Sequence, residues 1–316
     1  MESQFQHKSV LLQECIANLN INPDGVYVDG TLGGAGHSSE ILARLGKNGV
    51  LIGLDQDEAA IKASTVRLQK VESQAKYHLL KTNFVNLIEA CKTIGYSEVD
   101  GILLDLGVSS YQFDTGDRGF SYRFDAPLDM RMDQQQELTA DYVVNNYTVD
   151  ALKKIFWAYG EERWAARIAK IIEERRSKKR IETTGELVEV IKAAIPLGAR
   201  KEGGHPAKRT FQAIRIEVNH ELDVLTETIG KAIDLLAPGG RLCIITFHSL
   251  EDRIVKNKFR EASNPCKCPS DFPVCVCGKK PLGKILTGKP IVAGEEELND
   301  NPRAKSAGLR VFAKLI

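Results

Sequence analysis

Apolar residues in the first third of the chain come in short runs that end on a charge, with amphipathic stretches between them. Val26–Asp29 (VYVD) predicts a strand, and Ser38–Leu45 follows with helical spacing. Val50–Leu54 (VLIGL) predicts a second strand that stops at Asp55, and Glu58–Val71 has helical period with charged faces. Tyr77–Leu80 is a weaker third strand, Phe84–Ile94 a helix, and Val99–Asp105 (VDGILLD) a fourth strand. Strands alternating with helices in this way build βαβ units, and their apolar runs suit a parallel sheet buried on both faces.

The rhythm then breaks. Leu106–Asp133 is rich in Gly, Ser, Asp and Arg and reads as loop, and from Thr139 to Ala194 every segment has helical character. Thr139 and Thr148 stand where N-caps belong, and Pro196 closes the run. A single long helix, Thr210–Leu236, then leads through the turn Pro238-Gly239-Gly240 into a strand, Arg241–Phe247, and Leu309–Leu315 adds one more. The α/β pattern therefore resumes after the helical block, which makes the block an insertion. The expected boundaries are residues 1–106 for the first part of the α/β domain, 107–209 for the inserted helical domain and 210–316 for the second part.

Length and composition agree with this. A chain of 316 residues suits one large domain carrying an insertion, and 43% hydrophobic residues can fill both cores. With 43 basic and 42 acidic residues the net charge is +1, so any nucleic-acid binding must come from local patches. The opening MESQFQHKSV has no apolar signal region, and no apolar run reaches the roughly 18 residues of a membrane span. Seven cysteines, an odd number, fit a reducing cytoplasm better than a disulfide framework.

The candidate chemistry begins at Asp29–His37 (DGTLGGAGH), a glycine loop that leads from a strand into a helix. Free N–H groups at a helix N-terminus favour an anion, and glycines let the backbone approach a ligand. Such a loop serves a dinucleotide, a nucleotide or S-adenosylmethionine equally well. Asp29 discriminates among them. A pyrophosphate would meet its charge unfavourably, whereas the methionine end of S-adenosylmethionine offers a carboxylate for the N–H groups of the loop, Gly34 included, and an ammonium for Asp29. Asp55, ending the second strand, suits the two ribose hydroxyls. Asn83 and Phe84 follow the third strand and could frame an adenine, and Asp105 ends the fourth beside the expected methyl donor. Each assignment has a plainer counterpart: a strand-end Asp is a common helix cap, Phe84 alone suits a core, and His37 alone suits a solvated helix turn.

Several longer strings resemble one family. They are HKSVLL (His7–Leu12), DGTLGGAGHS (Asp29–Ser38), DGILLDLGVSS (Asp100–Ser110), RGFSYRFDAPLDMRMD (Arg118–Asp133), YGEERWAARIAKII (Tyr159–Ile172), HPAKRTFQAIRIEVN (His205–Asn219), APGGRLCIITFHSLEDRIVK (Ala237–Lys256) and NPRAKSAGLRV (Asn301–Val311). They are similar to the RsmH (formerly MraW) family, the bacterial ribosomal small-subunit RNA cytosine-N4 methyltransferases, over almost the whole chain. The resemblance implies a Rossmann-like methyltransferase sheet with an inserted all-helical domain, and S-adenosyl-L-methionine as cofactor. As substrate it implies the cytosine at position 1402, in conventional 16S rRNA numbering, in the decoding centre. It carries over Ala35, Gly36, His37, Asp55, Phe84, Asp105 and Gln112 as cofactor contacts; Gln112 gives no signal of its own. The implied partner is 16S rRNA, free or in the small ribosomal subunit; the expected place is the cytoplasm, with no DNA or membrane and with a homodimer left open.

Methylation at carbon 5 of cytosine requires a cysteine nucleophile, and none follows the fourth strand, which continues DLGVSS. An exocyclic amine can instead attack a sulfonium methyl directly, helped by hydrogen-bond acceptors that localise its lone pair. The (Asp/Asn/Ser)-Pro-Pro-(Tyr/Phe) turn of DNA amino-methyltransferases is absent here. Asp105, Ser109 and Ser110 are the expected acceptors, with His248 of FHSLEDR as an additional group. Arg163, Arg167, Lys170, Arg175, Arg176, Lys178, Lys179 and Arg180, then Lys208, Arg209 and Arg215, form basic stretches that suit RNA phosphates or a solvated helix face. Trp157 and Trp164, seven apart, are expected in a core.

A last pattern, PCKCPSDFPVCVCG (Pro265–Gly278), sets Cys266 and Cys268 against Cys275 and Cys277. Thiolates suit tetrahedral zinc, but C-x-C arms are tighter than the usual C-x2-C, and no metal is expected from the sequence. Two other classes stay in view: an NAD-dependent oxidoreductase, which Asp29 disfavours, and a non-enzymatic RNA-binding assembly factor on the same scaffold.

Overall fold

The computed structural model describes residues 9–108, 116–201, 204–269, 274 and 276–315. Ser109, Ser110, Gln112 and Cys275 lie outside the described residues. The chain forms two compact units, one of Met1–Gly107 with Leu222–Ile316 and the other of Val108–Glu221.

The discontinuous unit is built on β1 (Val26–Asp29), β2 (Val50–Asp55), β3 (Lys76–Lys81), β4 (Val99–Asp105), β5 (Leu236–Thr246), β6 (Gly283–Ile285) and β7 (Gly308–Lys314). They form one sheet in the order β3-β2-β1-β4-β5-β7-β6. The first five are parallel, while β7 runs antiparallel to β5 and β6 antiparallel to β7. This is the Rossmann-like methyltransferase sheet expected from the sequence. Within β5, Leu236 pairs with Val99 and Arg241 with Gly101, so Ala237–Gly240 bulges out of the ladder. The Pro-Gly-Gly signal is thus a bulge inside a longer strand.

Period-two alternation sorts the strand side chains onto two faces. Val28, Ile52, Leu54, Ile102, Leu104, Leu242, Ile244 and Phe312 share one core, while Tyr27, Leu51, Leu103, Cys243, Ile245 and Val311 share the other. α4 (Leu87–Thr93), α10 (Glu221–Leu235) and α11 (Ser249–Ser263) pack on the first face through residues such as Cys91, Ile229 and Phe259. α1 (Leu12–Leu19), α2 (Gly36–Arg44) and α3 (Glu58–Leu68) pack on the second through Cys15, Ile41 and Leu68. α12 (Glu295–Asp300) lies in the final connection.

The helical unit contains α5 (Ala140–Asn146), α6 (Val149–Gly160), α7 (Ala165–Arg176), α8 (Thr184–Ala194) and α9 (Lys208–Asn219). Thr139 and Thr148 cap α5 and α6 as expected, and Thr183 with Glu186 forms a reciprocal capping box on α8. The unit extends beyond the expected boundary at 209. α9 buries Phe211, Ala213, Ile214 and Val218 in the helical core, so it belongs there and not to the sheet. The single helix expected over Thr210–Leu236 is two, interrupted where His220 takes a left-handed conformation (φ 50°).

Two further expectations change. RGFSYRFDAPLDMRMD is irregular but not a surface loop: Phe120, Leu128, Met130 and Met132 enter the helical core, and buried Arg118 donates to the Arg131 and Met132 carbonyls. Trp157 is not core. It is 66% exposed on α6, whereas Trp164 is half-buried and precedes α7, so the two tryptophans do not share a helix face.

Candidate active site

Strand order places the site. β1 neighbours both β2 and β4, and the chain proceeds from them in opposite directions, which opens a crevice at the carboxyl ends. Asp29 pairs in register with Gly53 and Leu103, so Asp55 and Asp105 stand two residues further along the adjacent strands. The three acids expected from the sequence therefore share one sheet edge.

The glycine loop is held from three sides. Asp55 accepts the Gly33 N–H at 2.9 Å and the Asp57 N–H at 2.8 Å. Ser64 and Arg67 of α3 donate to the Gly33 and Gly34 carbonyls at 3.2 and 3.0 Å. Because a trans peptide sets its N–H opposite its C=O, the Gly34 N–H points away from α3. Thr31 Oγ1 accepts the Asp105 N–H at 2.6 Å and ties the loop to the end of β4. Ala35 then takes a left-handed conformation (φ 54°) and starts α2, which no side chain caps. Gly36 must lack a side chain, since a Cβ there would fall 1.7 Å from Ser9 Oγ, while a Cβ on Gly34 would meet open space.

Asp29 is not the open charge that the sequence suggested. It is 1% exposed, with Oδ2 accepting from Ser38 Oγ at 2.6 Å and Oδ1 from the Thr31 N–H at 3.1 Å. Burial raises its pKa against the opposing pull of those hydrogen bonds. Asp55 is raised to about 6 by burial, although the Asp57 and Gly33 N–H groups hold it back. Asp105 is raised well above the ordinary carboxylate range by burial and then by the charges of Asp29 and Glu251. Its Oδ1 is buried with no hydrogen-bond partner among the described residues. An unpartnered buried carboxylate oxygen is costly in a folded chain and marks a place prepared for a ligand donor.

His37 is buried, and its Nε2 lies 3.0 Å from the Val10 carbonyl. A carbonyl only accepts, so Nε2 carries the proton and Nδ1 presents its lone pair. Burial lowers the imidazole to about 4, which leaves it neutral near pH 7. Nδ1 faces Asp105 Oδ2 at 3.7 Å. Phe84 is half-buried against the sheet core. Asn83 is engaged within the protein, its amide bonding to Gln56 and to the Val85 N–H.

His248 has a structural occupation. It caps α11, with Nδ1 accepting the Glu251 N–H at 3.4 Å, while its buried Nε2, 3.1 Å from Glu251 Oε1, makes no hydrogen bond among the described residues. Glu251 in return accepts the Phe247 and His248 N–H groups. Its expected place as a catalytic acceptor competes with this use of the ring. The sequence reading missed Thr31, Ser38, Ser64, Arg67 and Glu251. Thr31 and Ser38 are visible in DGTLGGAGHS as hydroxyls beside an acid, whereas the helical Ser64 and Arg67 carry no local signal.

A family model described as the MraW methylase family matches residues 4–315. The chain belongs to the MraW methylase family. It is 62% identical over 312 residues to a protein of Acetivibrio thermocellus named Ribosomal RNA small subunit methyltransferase H, covering 99% of this chain and 100% of that one. Proteins of the same name from Ruminiclostridium cellulolyticum and Clostridioides difficile are each 58% identical, again over 99% of this chain and 100% of theirs. The cofactor of this MraW methylase is S-adenosylmethionine. The residues present fit it: an uncapped helix N-terminus behind an open glycine for a carboxylate, Asp55 for ribose hydroxyls and the unpartnered Asp105 beside them.

Proposed function

We propose that this methylase transfers a methyl group to the exocyclic N4 of a cytosine in small-subunit ribosomal RNA, the decoding-centre cytosine at position 1402 in conventional numbering. The substrate class rests on the full-length similarity to proteins named Ribosomal RNA small subunit methyltransferase H. The observation that carries the choice of an amine is Asp105, whose buried Oδ1 at the end of β4 has no partner among the described residues. The strand continues without a cysteine nucleophile, as amine methylation allows.

S-adenosylmethionine supplies a methyl group made electrophilic by its sulfonium. The chain positions and neutralises. Asp55 would accept from the ribose hydroxyls, the first turn of α2 with Gly34, Ala35 and Gly36 would receive the carboxylate, and Phe84 would border the adenine, with Gln112 kept as a cofactor contact on the resemblance alone. Asp29 acts from behind the loop, fixing Thr31 and Ser38 so that the turn keeps its shape. Asp105, ionised beside a cation, accepts an N4 proton, localises the amine lone pair and takes the proton released as the N–C bond forms. His37 holds a neutral face toward Asp105 and donates no competing proton. Ser109 and Ser110 are retained as further acceptors and His248 as a group that orients the start of α11.

Small subunits from a strain lacking this activity, incubated with the protein and methyl-labelled donor, test the reading. Digestion and mapping are expected to place the label in one N4-methylcytidine. Label at carbon 5, or in another RNA, would overturn it.

A further inference from the structure

Between α11 and β6 the chain makes a long excursion whose base is closed by the Leu282 N–H donating to the Ala262 carbonyl at 2.8 Å. Loops of this length that lack secondary structure need something of their own to order them. Among the described residues of the loop apolar packing does not supply it, because Val274 and Val276 are 70% and 72% exposed. What converges instead is sulfur. The Sγ atoms of Cys266, Cys268 and Cys277 all lie within 4.8 Å of one another, drawn from both arms of the loop. The Val276 N–H donates to Cys268 Sγ at 3.4 Å and ties the two arms together at the sulfurs.

We infer that Cys266, Cys268 and Cys277 form a structural zinc site that cross-links the two arms of this loop. In the sequence the four thiols suit zinc by ligand type, and only the tightness of the C-x-C arms speaks against it. The geometry removes that objection for the described residues. Sulfurs bound to one tetrahedral zinc at about 2.3 Å stand about 3.8 Å apart. The three sulfurs, all within 4.8 Å of one another, close on a single ion with shifts of about 1 Å or less. An iron–sulfur cluster would hold its cysteines on different metal atoms and so further apart. Each thiol that ligates gives up its proton, so binding strengthens as pH rises through the thiol range. Cys275 completes the pattern in sequence but lies outside the described residues, and the site stands on the other three.

Metal content of the full chain decides this, measured by multi-element mass spectrometry on protein whose affinity tag has been removed and to which no metal was added. The expected result is close to one zinc per chain, falling to background in a Cys268→Ser/Cys277→Ser variant. A Cys91→Ala control, altered at the buried cysteine of α4, is expected to keep its zinc. If the double variant fails to fold, the wild-type chain still decides. After chelation it should take up one Co²⁺ with thiolate charge-transfer absorption and the visible bands of a tetrahedral site. Zinc far below one per chain with no cobalt spectrum, zinc retained by the folded double variant, or iron in its place would each overturn the site.

Discussion

Burial raises both Asp55 and Asp105, and each acid makes its own prediction. For Asp55 the folded pKa, about 6, is raised above the ordinary value. Its contribution to the ligand-free protein is therefore present below the ordinary carboxylate range and lost as pH rises through about 6. Donor binding runs the other way, since ribose hydroxyls donate best to the ionised form. Titration calorimetry with S-adenosylhomocysteine is expected to show affinity rising over the same window and then levelling, and Asp55→Asn should weaken binding by about 1.5–3 kcal/mol and flatten that dependence. An unchanged pH profile in the variant would remove Asp55 from the ribose site. Asp105 makes a different prediction. Asp105→Asn keeps the shape but not the proton acceptor, so methyl transfer should fall by about 10²–10⁴-fold while S-adenosylhomocysteine affinity changes little. Full methyl transfer in that variant would sink its assigned role. Both acids were legible because each ends an apolar run, and the end of a buried parallel strand is where ligands meet the sheet. Ser64, Arg67 and Glu251 were not, because a polar residue on an amphipathic helix reads as solvated until the sheet beneath it is known. Asp29 was legible as an acid but not as a buried one, since its partner Ser38 approaches only when α2 folds back.

Elements were legible where the apolar period was clear and illegible where backbone conformation decided. The first four strands, the glycine turn and the Thr139 and Thr148 caps followed from pattern and local chemistry. The break at His220 did not, because a left-handed histidine carries none of the Gly or Pro punctuation that usually marks a helix end. α11 shows how an element redefines a residue. His248 looked like a lone histidine beside a site, and it proves to be the cap of a 15-residue helix. Asn also caps well, so His248→Asn should retain stability and most methyl transfer, while His248→Ala should lose about 0.5–2 kcal/mol in denaturant unfolding. A His248→Asn variant that is stable yet inactive would restore the catalytic assignment. α2 yields a steric prediction of the same kind. Gly36→Ala drives a methyl group into Ser9, so donor affinity should drop, and Ser9→Gly in the same chain should recover part of it. No recovery would show that the loop depends on something other than that contact.

The molecule has two compact units, and the basic residues of the helical one divide by role. Across the helical unit the sequence offers two basic stretches with a few acids between them, but the fold assigns their members different work. Arg176 is held by Glu173 and by the Val144 and Tyr147 carbonyls, and Arg215 forms two 2.8 Å hydrogen bonds to Glu221. Lys179 pairs with Glu186 and Arg180 with Asp141. Such residues hold elements of the unit together, and their charge is already met. Arg167, Arg175 and Lys178 are exposed on or just after α7 and make no ion pair among the described residues. Net charge near zero means that RNA attraction must come from a subset of this kind, and linear sequence cannot say which members have been neutralised by folding. Counterion release makes the distinction measurable. Replacing Arg167, Arg175 and Lys178 together with Gln should reduce the slope of log affinity against log salt by roughly 2–3 while leaving the unfolding midpoint unchanged. Arg176→Gln should do the reverse, lowering stability by about 1–3 kcal/mol through carbonyls left without a donor, with little effect on the slope. If the triple variant binds RNA with the wild-type salt dependence, the exposed face of α7 is solvent-facing only, and the phosphate contacts belong to another surface of the methylase.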